Sequence, residues 1–274
     1  MPPVNEADHW WHALAWLSDA EPLVCPPSRH GIHWPDRMAL RHFWPRREQL
    51  LQRMLHDPRP LNGWMARIRD RRLGMRFEHL LLFWLMQQSH LRLLAHGLPV
   101  REQGRTLGAV DFLLQDLRDG SVWHWEVACK FYLQTSQSST GWQWLGPDGR
   151  DKLADKLRHM TQRQLRLAQQ PQIRDYLRRL GIRQSPRPLG VIWGRLFHTP
   201  EHVPGTETLP LNPNHPRGVW FNGTMPSGWR VAETLDLLSP QQSPPVRPGS
   251  EPDRPVPCWR PGADGRPEWA FIRP

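Results

Sequence analysis

The chain has 274 residues, of which 38% are hydrophobic, enough to bury the core of one elaborated domain or of two small ones. Its three cysteines, Cys25, Cys129 and Cys258, are odd in number and far apart, which excludes a disulfide scaffold and suits a reducing cytoplasm. The formal net charge of +10 favours a polyanionic partner, while the longest apolar run, Leu80 to Leu85, excludes a membrane-spanning helix. The first residues, Met-Pro-Pro-Val-Asn-Glu-Ala-Asp, lack a basic-then-apolar export pattern, so a soluble cytoplasmic protein is expected. A bias to arginine, tryptophan and proline with only three lysines also fits a GC-rich genome, so charge alone does not assign nucleic acid as the partner.

Residues 1–73 predict an N-terminal helical layer. Trp10, Trp11, Leu14 and Leu17 form one apolar stripe and Leu50, Leu51, Met54 and Leu55 another, with Pro22, Pro26, Pro27, Pro35, Pro58 and Pro60 as breaks. A longer helix is expected from Gly74 to about Ala95, with Phe77, Leu81, Trp84, Leu85 and Leu91 inward and Glu78 among them. After Gly97 the period changes to alternation, predicting a short strand over 98–102, a strand through Gly108-Ala-Val-Asp-Phe-Leu-Leu114 and another through Trp123-His-Trp-Glu-Val-Ala-Cys-Lys-Phe-Tyr132. Asp119-Gly120 between the last two predicts a tight primed turn. On the second of these strands Trp123, Trp125, Val127, Cys129 and Phe131 share one face, and His124, Glu126, Ala128 and Lys130 the other.

A Gly-Pro-Asp-Gly turn at 146–149 leads into a helix predicted over 150–169, capped by Asp148 or Asp151, with Leu153, Leu157 and Met160 inward. Lys152, Lys156, His159, Arg163 and Arg166 fall along another side, either as a solvated face or as contacts to a phosphate backbone; Lys152, Lys156 and Arg163 are the candidate nucleic-acid contacts. Strands are expected at 189–193 and 218–221. From Ser239 to about Pro267 the composition predicts an irregular Pro-rich arm. The expected organisation is therefore a helical layer (1–73), a core (74–238) and an arm (239–274).

Asp111, Glu126 and Lys130 are the candidate catalytic residues. Hard cations such as Mg²⁺ or Mn²⁺ take carboxylate oxygens and retain waters, so Asp111, Glu126 and Glu78, with the Val127 carbonyl, are the candidate metal ligands. Lys130 would stabilise charge on a reacting phosphate. His124 and Gln134 are candidates for contacts around the metal ligands or to substrate, against an ordinary polar role. A half-exposed strand carrying a Glu126–Lys130 ion pair would explain the pattern without function. The helix expected to cover that face disfavours this, because burying unpaired charges costs several kcal/mol.

The order of a helix bearing Glu78, Gly108-Ala-Val-Asp111, a hairpin, Glu126-Val-Ala-Cys-Lys130 and a covering helix resembles the core of the PD-(D/E)XK nuclease superfamily. That resemblance implies an α/β fold, a restriction-endonuclease-like mixed β-sheet flanked by helices, and Mg²⁺-dependent cleavage of nucleic acid, DNA by expectation. Thr106-Leu-Gly-Ala-Val-Asp-Phe-Leu, His124-Trp-Glu-Val-Ala-Cys-Lys-Phe-Tyr-Leu and Gly141-Trp-Gln-Trp-Leu-Gly-Pro-Asp-Gly-Arg-Asp-Lys-Leu are similar to the bacterial family called domain of unknown function 1853, across most of the chain. Two positions depart from the superfamily pattern. Val110 stands for proline, and Ala128 for the lysine two residues after the glutamate, with Lys130 displaced by about 6.6 Å along the strand. The reading is a metal-dependent nuclease; the alternative is a non-catalytic nucleic-acid-binding or adaptor protein on the same fold.

Overall fold

The computed structural model describes residues 6–28, 31–138, 141–199, 209–223, 227–232, 237–238, 254–263 and 267–273. Helices α1 (Glu6–Leu17), α2 (Arg37–Arg41), α3 (Arg47–His56), α4 (Arg59–Met65) and α5 (Leu73–Met86) precede strands β1 (Leu91–Glu102), β2 (Arg105–Asp116), β3 (Val122–Ser138) and β4 (Gly141–Leu145). Helix α6 (Leu153–Gln162), a 3-10 segment (Gln164–Gln169) and α7 (Pro171–Arg179) follow. Strands β5 (Arg187–His198), β6 (Arg217–Asn222), β7 (Arg230–Val231), β8 (Val256–Pro261) and β9 (Pro267–Arg273) complete the described elements.

All strands join one mixed sheet in the order β1-β2-β3-β5-β6-β9-β8-β7, with β4 also on β3. The centre is parallel: β3 pairs with β5 from Trp123↔Arg187 to Leu133↔Phe197, and β5, β6 and β9 continue parallel. Buried on both faces, β5 reads as an almost continuous apolar run, as parallel strands do. Gly194 lies opposite Lys130 with φ +135°, and any Cβ there would collide with the Lys130 carbonyl oxygen. Glycine is required for β5 to approach β3 at the candidate lysine.

Helices cover both faces of this sheet. The alternation predicted along β3 is present: Trp125, Val127, Cys129 and Phe131 join Leu14, Trp44, Leu81 and Trp84 in the core beneath the N-terminal helices. Tyr132 and Ala128 belong to the opposite side, with Leu153, Leu157 and Met160 of α6. The stripes expected on α1 and α6 are therefore the faces that dock.

The expected N-terminal helical layer is present as four short helices before α5, with the prolines at 22, 26, 27 and 35 in the non-helical stretch between α1 and α2. Four other expectations need correction. Helix α5 ends at Met86 rather than near Ala95, and the leucine-rich stretch from Leu91 is strand, because it pairs with β2 from Leu91↔Asp116 onward. Long-range pairing overrides an ambiguous local period here. The Asp119-Gly120 connection is not a two-residue primed turn: it spans 117–121, with positive φ at Gly120 alone and the Asp119 carboxylate accepting from Ser121 N–H. The helix expected over 150–169 breaks at Arg163, where ψ is −65° and φ −124°, and finishes as a 3-10 segment. Lys152 occupies its N-cap with no side-chain cap, so neither Asp148 nor Asp151 plays that part.

The fourth correction concerns the C-terminal arm. Residues 239–253 lie outside the described residues, but β8 and β9 are sheet strands, and Trp259, Trp269 and Phe271 are buried in the main core. Pro257, Pro261 and Pro267 obscured this in the sequence. Pro257 and Pro261 are tolerated because, among the described residues, β8 has only the two-residue β7 on its outer side, and Pro267 is the first residue of β9.

Candidate functional site

The ladder between β2 and β3 runs from Gln115↔Val122 to Phe112↔Trp125 and stops there. At the next position the side chains replace the missing ladder. Asp111 N–H donates to Glu126 Oε1 at 3.3 Å, and Val127 N–H donates to Asp111 Oδ2 at 3.0 Å. Each carboxyl group thus takes an amide of the opposite strand. The strands part at this fork because carboxylates stand where backbone carbonyls would otherwise accept.

Glu126 is fully buried. Its Oε1 lies 2.7 Å from His124 Nε2, also fully buried, and its Oε2 accepts from Gln164 Nε2 at 2.7 Å. Gln164 Oε1 accepts in turn from Lys156 Nζ at 3.1 Å. The break at Arg163 places Gln164 at the start of the 3-10 segment that supplies these contacts.

Burial, then the neighbouring Glu126 charge, pushes the Asp111 carboxyl up to about 8. Burial pushes Glu126 up to about 7, restrained by hydrogen bonds from the Asp111 amide and carboxyl and by the Lys156 charge. Two neighbouring carboxyl groups removed from solvent cannot both ionise at low cost, so each holds a proton to higher pH than an ordinary carboxyl group. Burial lowers His124 to about 4, keeping its ring neutral, and it lowers Lys156 while Asp111 opposes the shift.

A cavity of about 340 Å³ opens beside the fork, its walls including Arg72, Glu78, Val127, Ala128, Lys130 and Lys156. Asp111 and Glu126 are not among the wall residues. They connect to the cavity through Val127, whose amide binds Asp111, and through the Gln164 bridge to Lys156.

Of the predicted site residues, Asp111, Glu126 and His124 are brought together directly. Lys130 reaches the cavity, but its Nζ is 2.5 Å from Asp151 Oδ2, which also accepts from the Tyr132 hydroxyl at 3.2 Å. Glu78 lines the cavity with its carboxylate 2.7 Å from His96 Nε2. Gln134 is engaged elsewhere, accepting from Thr199 N–H at 3.0 Å. Lys152 and Arg163 are exposed on α6 and at its end, whereas Lys156 turns inward rather than lying on a solvated stripe. Gln164, Asp151 and Arg72 had no sequence signal: Gln164 depends on the helix break, Asp151 resembles a cap, and Arg72 is one arginine among thirty-three.

Among the described residues, no three His, Cys, Asp or Glu side chains form a group suited to hold a metal. The Asp111–Glu126 pair nonetheless fits a hard divalent cation. It is an all-oxygen, doubly anionic donor set when ionised, and a cation could displace its protons, with waters completing the shell.

No curated protein and no solved structure matches the chain. No helix among the described residues is long and apolar enough to cross a membrane. The family model described as domain of unknown function (DUF1853) matches residues 12–233, which hold α2 to α7 and the sheet through β7, including the fork and its cavity, and the chain therefore belongs to the DUF1853 family.

Proposed function

We propose that the protein is a metal-dependent phosphodiester hydrolase acting on nucleic acid, DNA by expectation, on a restriction-endonuclease-like core. The carrying observation is the Asp111–Glu126 pair at the β2–β3 fork, with Glu126 buried and Asp111 half-buried, beside a cavity walled by Arg72, Lys130 and Lys156. Asp111 and Glu126 would hold Mg²⁺ or Mn²⁺; when bound, the ion supplies positive charge against the phosphate and lowers the pKa of an attacking water.

The chain's own residues do the positioning. The reciprocal amide bonds hold both carboxyl groups at the fork, and His124 and Gln164 fix the Glu126 oxygens. The cavity cations receive the phosphate and stabilise the charge that builds on its non-bridging oxygens. The water oxygen bonds to phosphorus as the bond to one ester oxygen breaks. The water sheds one proton and the departing oxygen gains one, leaving a phosphomonoester and an alcohol.

A second reading, a nucleic-acid binder without cleavage, draws support from Glu126, both of whose oxygens already accept hydrogen bonds. Titration with Mg²⁺ and Mn²⁺, with cleavage assays on single- and double-stranded DNA and RNA, separates the two. Metal-dependent cleavage lost in Asp111→Asn supports the hydrolase; nucleic-acid binding without metal uptake or cleavage supports the binder.

A further inference from the structure

We infer that Lys156 of α6, rather than Lys130 of β3, is the cation that contacts the scissile phosphate, having taken the place left vacant at Ala128. This inference rests on the hydrolase reading above.

Ala128 stands two residues after Glu126, on the strand face that α6 covers. It packs against the cluster containing Leu153, Leu157 and Met160, so the small side chain admits the helix closely. Ala128 and Lys156 wall the same cavity. An ammonium delivered by α6 therefore reaches the region that a lysine on β3 at position 128 would occupy.

Lys156 is also held there. Its bond to Gln164, and the Gln164 bond to Glu126, link the ammonium to a metal-ligand candidate through one side chain. A half-buried lysine bonded to a neutral amide retains donors for an anion.

Lys130 walls the same cavity but is held differently. It forms an ion pair with Asp151, with both side chains more than a third exposed, and the Tyr132 hydroxyl holds the same carboxylate oxygen. Its charge is matched before substrate arrives.

In the reaction Lys156 keeps its protons and donates a hydrogen bond to a non-bridging phosphate oxygen, so no proton or electron pair moves to or from it. A flexible ammonium can follow the phosphate, while an arginine fork could not substitute without displacing Gln164.

The test compares wild type, Lys156→Met, Lys130→Met and the double variant Lys156→Met with Ala128→Lys. It uses Mn²⁺ calorimetry, binding of thymidine 5′-monophosphate in the presence of Ca²⁺, and cleavage with Mn²⁺. Lys156→Met should keep Mn²⁺ binding, lose at least about tenfold in monophosphate affinity and lose about a hundredfold in cleavage rate, the usual effect of deleting one preorganised donor. Lys130→Met should lower both by less than Lys156→Met does, because Lys130 is half-exposed and already paired with Asp151. Ala128→Lys should restore part of the Lys156→Met loss, which a purely structural role for Lys156 would not permit. Thermal melts establish that each variant is folded; if Lys156→Met unfolds, Lys156→Gln replaces it. Monophosphate affinity and cleavage that survive Lys156→Met but not Lys130→Met overturn the inference and leave the hydrolase standing. A folded wild type that neither takes up Mn²⁺ nor cleaves overturns both.

Discussion

Asp111 and Glu126 are joined through each other's strand: the Asp111 amide binds the Glu126 carboxyl, and the Val127 amide, next to Glu126, binds the Asp111 carboxyl. This reciprocity ties the chemistry of the pair to the architecture of the sheet. Moving either carboxyl group releases an amide of the other strand, so protonation of the pair and the geometry of the fork are linked.

The first consequence is a pH dependence of stability. A carboxyl group raised in the folded state binds its proton more tightly there than in the unfolded chain, so its contribution is present at low pH and declines as pH rises through the folded pKa. With Asp111 raised to about 8 and Glu126 to about 7, metal-free stability falls through this range. His124, lowered to about 4, acts oppositely by adding stability as pH rises towards 6.5, so the fall should emerge cleanly between pH 6.5 and 8. Thermal melts should show a falling Tm over that window, reversed by Mn²⁺ and flattened in Asp111→Asn. A flat wild-type profile would mean that the pair is not protonated as described.

Glu126→Gln keeps an oxygen acceptor but deletes one negative charge from the donor pair. Calorimetry should show Mn²⁺ affinity reduced by about tenfold or more, while the metal-free Tm at pH 8 stays level or rises, because the like-charge conflict with Asp111 is gone. Unchanged Mn²⁺ affinity would place the metal elsewhere.

At Gly194 even alanine should be costly, since its Cβ meets the Lys130 carbonyl oxygen at a backbone angle that favours glycine. We expect Gly194→Ala to lower stability by at least about 1–3 kcal/mol, the scale of strain at such positions, in denaturant unfolding. A neutral result would show that β3 and β5 can separate at this point.

Lys152 and Arg163 are exposed and free to follow a phosphate backbone outside the cavity. Replacing both by alanine should weaken binding similarly across sequences and reduce the log-log salt slope by about one for each phosphate that is no longer neutralised. If fluorescence anisotropy across a salt series detects neither change, the nucleic acid follows another face.

Phe271 measures how fully the C-terminal strands belong to the core. It is buried and lies edge-to-face on Phe197 with ring centroids 4.7 Å apart. Phe271→Ala should cost about 3–5 kcal/mol in equilibrium unfolding. A loss below about 1 kcal/mol would indicate that β9 is peripheral.

Local sequence carried the alternation of β3, the inward stripe of α6 and the likeness in Gly108–Asp111 and Glu126–Lys130, because side-chain period and short motifs are local properties. It also brought Asp111 and Glu126 onto neighbouring strands, through a hairpin whose turn differs from the one expected. The strand identity of Leu91–Glu102 and the inclusion of 256–273 in the sheet were decided by pairing with distant strands, which neither proline content nor leucine spacing records. The lysines show the same division. Lys130 stood out by its place in a motif, but an ion pair with Asp151 occupies it, whereas Lys156 looked like one member of a surface stripe. Only the packing of α6 over Ala128 and the break that lets Gln164 bridge to Glu126 turn Lys156 inward, since contact between residues this far apart in the chain depends on how layers dock.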